Sequence, residues 1–215
     1  MEIDTAVFDV IDTVIGCNGP HPEYLTAKYL DRKHPGISRD VKDVLINTQN
    51  WRDRTEKGYQ KLNIFGVSLD DYKEAAEYVV DNNLYVHKPA QKALERLSKS
   101  LEVAVPVSGV SDIMLDLIVE KKFEPMIGAE ILPFGTKLST KDGYFEQTIK
   151  EIQGYEERSN IARKFRTVAT LNNKLSLVIA DNLSDVNLGM VEEGDYAALI
   201  SNYNLILNIN LIKRH

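Results

Sequence analysis

Five short apolar runs recur along this chain with helical stretches between them, and that alternation limits the fold more than any other feature. The runs are Thr5 to Val10, Leu101 to Val107, Ala129 to Leu132, Leu175 to Ile179 and Ala197 to Ile200. Each is strand-sized and bounded by polar or turn-forming residues. Between them, Pro89 to Lys99, Ser111 to Lys122 and Glu156 to Val168 read as helices, the first carrying proline in its opening turn. Strands that alternate with helices predict an α/β fold, a parallel sheet with helices on both faces. Asp142-Gly143 lies between two extended flanks from Lys137 to Thr148 and marks a hairpin turn.

One block breaks the alternation. From His21 to about Asn83 the apolar residues recur every three or four positions, as in Val41, Val44 and Leu45, or Leu69, Tyr72, Ala75, Ala76 and Val79. That spacing predicts three or four helices and no strand. Ser38 and Ser68 stand where N-caps belong, and Asp70 and Asp71 suit the positive end of a helix dipole. The expected organisation is a Rossmann-like, three-layer α/β core from 1–17 and 84–215, with a helical cap inserted over 18–83.

Composition narrows the function classes. With 26 basic and 32 acidic side chains in 215 residues, the net charge is −6, which argues against nucleic acid or an anionic membrane as partner. The apolar runs are far shorter than the ~20 residues of a membrane span. The N-terminus reaches charge at once, with no basic region leading into an apolar one, so the expectation is a cytoplasmic protein. The single cysteine, Cys17, forms no intramolecular disulfide; beside the first strand it reads as an inert small residue or a reactive thiol. The histidines His21, His34, His87 and His215 show no metal-ligand spacing, which argues against a His-ligated zinc site. The terminal LILNINLIKRH (205–215) suits an edge strand or a contact with a second copy, a homodimer.

Chemistry gathers at strand ends, where open α/β sheets bind ligands. The first strand ends in Phe8-Asp9-Val10-Ile11-Asp12-Thr13, the second in Val107-Ser108-Gly109, and a later one in Ala180-Asp181-Asn182-Leu183-Ser184-Asp185. If these strands are neighbours, Asp9, Asp181 and Asp185 converge beside the Ser108 hydroxyl. Such a carboxylate cluster implies a hard cation such as Mg²⁺. Asp9 could act as a nucleophile, because carboxylates form acyl-phosphates. The cluster Trp51-Arg52-Asp53-Arg54 with Lys57 reads either as a solvated helix face or as a group that reaches over the site to bind a carboxylate or second phosphate.

Four segments in order resemble the haloacid dehalogenase superfamily, and within it the phosphoserine-phosphatase-like branch with a helical cap. They are FDVIDT, VSGVSDIM, ILPFGTKLSTKDGYFEQ and VIADNLSDVNLGM, and their span runs from Thr5 to Ile200. The resemblance implies a Mg²⁺-dependent phosphatase that acts on a small phosphorylated metabolite through an aspartyl-phosphate on Asp9. It implies that Asp9, the backbone carbonyl of Ile11 and Asp181 hold the metal, with Asp185 acting beside them or through water. Ser108 and the Gly109 amide would bind phosphate oxygens, and Thr13 would brace the nucleophile loop. Arg158 falls where the family carries a basic lysine clamp; Lys164 is the alternative.

Ile11 departs from the family pattern. It takes the position of the aspartate that serves there as general acid and base, and it can transfer no proton. Asp12 would replace that aspartate only if the loop is not extended, since neighbouring side chains of an extended segment point to opposite sides. An alternative therefore stands beside the enzyme: a catalytically impaired protein of this fold that binds Mg²⁺, a phosphate ligand or a partner. Phosphoryl transfer to an acceptor other than water is a third reading.

Overall fold

The computed structural model describes residues 3–180, 190–201 and 204–206. Strand β1 (Ile3–Asp9) leads into a short β2 (Ile15–Cys17), and helices α1 (Pro22–Leu30), α2 (Ile37–Asn47), α3 (Trp51–Ile64) and α4 (Leu69–Asn82) follow. The chain returns through β3 (Leu84–Val86), α5 (Lys88–Leu97), β4 (Val103–Ser111) and α6 (Asp112–Ile118), which runs on into a π-helical turn, Val119–Phe123. Then come β5 (Glu130–Ile131), the hairpin β6 (Phe134–Lys141) and β7 (Tyr144–Glu151), α7 (Tyr155–Leu171), β8 (Leu175–Ala180), β9 (Tyr196–Ser201) and β10 (Asn204–Ile206).

The main sheet has the order β10-β9-β8-β1-β4-β6-β7, with β5 also paired to β4. β1 pairs in parallel with β4 on one side and β8 on the other, and β8 pairs in parallel with β9. The chain builds outward from β1 to β4, then crosses to the opposite side for β8 and β9. The carboxyl end of β1 is thus the point where the winding reverses, the place where such sheets open a crevice.

Strand periodicity explains the three layers. Val7, Val105, Val107, Val178 and Ala180 face α7 through Ile161, Ala162 and Phe165. Their neighbours Ala6, Phe8, Ala104, Leu177 and Ile179 face the other side, with Ala90 and Leu94 of α5 and Met114, Leu115 and Ile118 of α6. Alternate residues of one strand are buried on opposite faces, so these strands read as unbroken apolar runs.

The helical block is four helices, as its periodicity predicts, and β2 pairs antiparallel with β3 where the chain enters and leaves it. Ser68 caps α4 as expected, its hydroxyl accepting from the Asp71 N–H at 3.1 Å. Ser38 does not cap α2. The cap is Gly36, whose left-handed φ of 95° glycine adopts freely, and Ser38 lies inside the first turn, hydrogen-bonded to Asp31. The hairpin turn forms at Asp142 (φ 51°) and Gly143 (φ 82°), two left-handed residues as the tightest hairpin turns require. Its tip supports the helices: the Leu69 N–H donates to Gly143 O at 2.8 Å and Asn63 Nδ2 to Phe145 O at 2.6 Å. No helix among the described residues is long and apolar enough to cross a membrane.

Candidate active site

Asp9 ends β1 with only 7% of its surface exposed. Among the described residues two neighbours hold its carboxylate: Arg158 Nη1 donates to Oδ1 at 2.8 Å, and the Thr13 hydroxyl donates to Oδ2 at 2.9 Å. Thr13 reaches it because the chain turns back sharply after β1. The amides of Val14 and Ile15 both donate to Val10 O, and the Asp12 N–H donates to Ile15 O at 2.9 Å. Asp12 sits in the left-handed region at φ 64°, which aspartate tolerates better than most residues. The loop is a turn rather than an extended segment, so Ile11 and Asp12 both reach the same cavity instead of pointing to opposite sides.

Arg158 reaches Asp9 from the first turns of α7. Its own chain is held from behind, Nε donating to Gln153 O at 3.0 Å, and the buried Gln153 in turn donates to Gly135 O. At the start of α7 the Gly154 N–H donates to Glu157 Oε2 at 3.2 Å. Lys164, the alternative clamp, lies against the Phe165 ring and does not line the cavity.

Register supplies the opposite wall. Asp9 is level with Val107 of β4, so Ser108 and Gly109 follow immediately beside it. Ser108 is buried inside the strand; the residue that caps α6 is Ser111, which accepts from the Met114 N–H at 3.1 Å. Gly109 is where the first residue of α3 meets β4. A Cβ there would lie 2.5 Å from Cζ2 of Trp51, so only glycine lets the indole come so close. The same indole lies 5.9 Å from the Arg158 guanidinium, measured to the ring centroid.

These residues enclose a cavity of about 750 Å³ whose walls include Asp9, Ile11, Asp12, Ser108, Gly109 and Arg158. The helical block contributes His21, Glu23, Trp51, Arg52, Arg54 and Thr55. Arg52 and Glu157 pair across its rim at 3.3 Å. Arg54 has no ion pair among the described residues. The sequence reading missed His21 and Glu23; their only signal was the Pro-flanked start of α1, which says nothing of what faces it.

Burial and, less strongly, the Asp12 carboxylate push the Cys17 thiol up to about 11. That disfavours the thiolate near neutrality and so favours the inert reading over the reactive one. For a divalent cation the described residues offer the Asp9 carboxylate and the Ile11 carbonyl, oxygen donors of the kind Mg²⁺ takes. No three His, Cys, Asp or Glu groups converge to hold a metal among the described residues. Asp181 and Asp185, the other expected ligands, lie outside them.

The doubly wound sheet, with a buried carboxylate at its switch point and helices inserted after β1, is a fold like that of solved structures described as phosphoserine phosphatases and HAD family hydrolases. One solved structure, described as a phospho-aspartyl intermediate analogue of phosphoserine phosphatase, superposes with a TM-score of 0.63 at 15% identity, covering 92% of this chain and 86% of that one. A protein of unknown function from Bordetella pertussis Tohama I gives 0.63 at 14% identity, over 92% and 89% of the two chains. Cytosolic 5'-nucleotidase IIIB bound to cytidine gives 0.58 at 8% identity, over 93% and 72%. At these identities the likeness is one of fold. No protein-family model matches the sequence, and no curated protein matches it.

Proposed function

We propose that this protein is a phosphomonoester hydrolase that attacks a small phosphorylated metabolite with Asp9. The observation that carries the reading is the buried Asp9 carboxylate, held at 2.8 Å by Arg158 on a cavity shared with Ser108 and Gly109. One Asp9 oxygen attacks phosphorus and forms an aspartyl-phosphate, which water then cleaves. Arg158 binds phosphoryl oxygens with its planar guanidinium, where a lysine would act as a point charge. Ser108 Oγ–H and the Gly109 N–H bind the remaining oxygens, and Thr13 keeps the carboxylate aimed. Mg²⁺ would be held by Asp9, the Ile11 carbonyl and Asp181, with Asp185 beside them; it would neutralise charge on the transferring group.

In this reading residues 18–83 form a cap domain over a core of 1–17 and 84–215, and Trp51, Arg52 and Arg54 close the cavity against bulk water. Arg54 then reads an anionic group on the substrate remote from the phosphorus. The protein works in the cytoplasm, without nucleic acid or membrane; of the terminal segment expected as an edge strand or homodimer contact, 207–215 lies outside the described residues.

The test is turnover of an aryl phosphate with a good leaving group in the presence of Mg²⁺, beside Asp9→Asn. We expect Mg²⁺-dependent turnover that Asp9→Asn abolishes. Equal rates in the two proteins would refute the mechanism. Ile11 on the cavity wall favours a second reading, a non-hydrolytic protein that binds a phosphate ligand there; titration calorimetry with inorganic phosphate and Mg²⁺ in the absence of turnover would support it.

A further inference from the structure

Ile11 leaves the proposed reaction without a proton donor at the place where the fold's relatives carry one. Resting on that hydrolase reading, we infer that His21 supplies the proton instead, as the general acid toward the leaving oxygen and then the general base toward water. His21 is the one imidazole on the cavity among the described residues. It is held, not free: as the N-cap of α1, its Nδ1 accepts from the Glu23 N–H at 3.3 Å. Nε2, the nitrogen that the cap does not use, is left to carry the transferable proton. Glu23 Oε2 lies 3.6 Å from Nδ1, so on protonation Nδ1–H exchanges the Glu23 N–H for this carboxylate, which stabilises and orients the imidazolium.

Two of the other acids on the cavity are engaged, and Asp12, beside Ile11, is the rival donor. Asp9 is bound by Arg158 and Thr13, and Glu157 by Arg52 and the Gly154 amide. The charged groups that share the cavity with His21 are Asp9 at the end of β1, Asp12 in the turn after it, Glu23 on α1, Arg52 and Arg54 on α3, and Glu156, Glu157 and Arg158 on α7.

In the first step an Asp9 oxygen bonds to phosphorus as the bond from phosphorus to the leaving oxygen breaks. The Nε2 proton of the imidazolium passes to that oxygen and the alcohol departs. His21, now neutral with its hydrogen on Nδ1 toward Glu23, takes a proton at Nε2 from the attacking water. The bond from phosphorus to Asp9 breaks, inorganic phosphate leaves, and the imidazolium is restored.

A graded series of substituted phenyl phosphates tests this, because proton donation matters only where the leaving group is poor. His21→Asn is the variant of choice, since asparagine caps a helix well and the fold is retained; thermal unfolding checks that, and His21→Ser is a second cap-competent form. We expect a loss of about 100-fold in kcat/KM with unsubstituted phenyl phosphate and a change within about threefold with nitrophenyl phosphate. An equal loss at both ends of the series, no loss at either, or the same graded loss from Asp12→Asn instead would overturn the assignment. Failure of the wild type to show any Asp9-dependent turnover would instead remove the hydrolase reading beneath it.

Discussion

Arg158 and Asp9 come from positions 149 residues apart and form a buried ion pair, 5% and 10% exposed in their side chains. Pairs of this kind add little net stability, because both charges lose their water, but breaking one leaves the other charge buried. Arg158→Met is expected to destabilise the fold by about 3 kcal/mol, and the double variant Asp9→Asn/Arg158→Met to recover much of that. A double-mutant cycle by urea unfolding measures it; additive losses would show that the two groups do not depend on each other. The sequence reading named both residues, Asp9 from its strand end and Arg158 from the family pattern. It had no means of stating their contact, since nothing local in the ERSN segment distinguishes a clamp from a solvated charge.

The helix starts show why caps are the most legible local signal and why one of them misled. At α4 the Ser68 hydroxyl donates to Asp71 Oδ2 at 2.8 Å while accepting from its backbone N–H, and Lys33 donates to Oδ1 at 2.6 Å. The Lys33 and Ser68 hydrogen bonds pull the Asp71 carboxyl down to about 2. A depressed carboxylate stabilises the fold above its unfolded value, about 3.9 for aspartate, and that contribution is lost as pH falls toward 2. Acid titration of the unfolding midpoint should therefore show a fall between about pH 4 and 2 that Asp71→Asn reduces. An unchanged slope would mean that the pair does not persist in solution. Ser38 carried the same chemistry but lost the cap position to Gly36. The turn before α2 needs a positive φ that serine resists, and Asp31 satisfies the exposed amides of Gly36 and Ser38 from outside the helix.

On the scale of the whole molecule, the helical block is tied to the sheet at β4 and at the β6–β7 hairpin. Tyr72 of α4 shares a 2.7 Å hydrogen bond with Ser111 at the end of β4 and packs edge-on to Phe145 of the hairpin. Both hydroxyls are buried, and burial raises the Tyr72 phenol well above its ordinary value. Tyr72→Phe should cost about 1 kcal/mol in global stability, measured by urea unfolding. A larger change in cavity access than in stability would show that this contact sets the position of the helical block. At the rim, by contrast, the exposed Arg52–Glu157 pair contributes little to stability.

What the sequence determined by itself was the periodic content: which runs are strands, which block is helical, where the hairpin turns, and which residue types end the strands. These follow from local steric preference and from burial repeating every two or every 3.6 residues, and both are written in neighbouring positions. The tertiary structure alone decided what meets across the sheet. Parallel register set Asp9 level with Val107, the turn after β1 brought Asp12 to the cavity beside Ile11, and helix packing carried Trp51 onto Gly109 and His21 to the cavity wall. Such contacts join residues far apart in the chain, and their geometry depends on how whole elements stack, which no single stretch of sequence encodes.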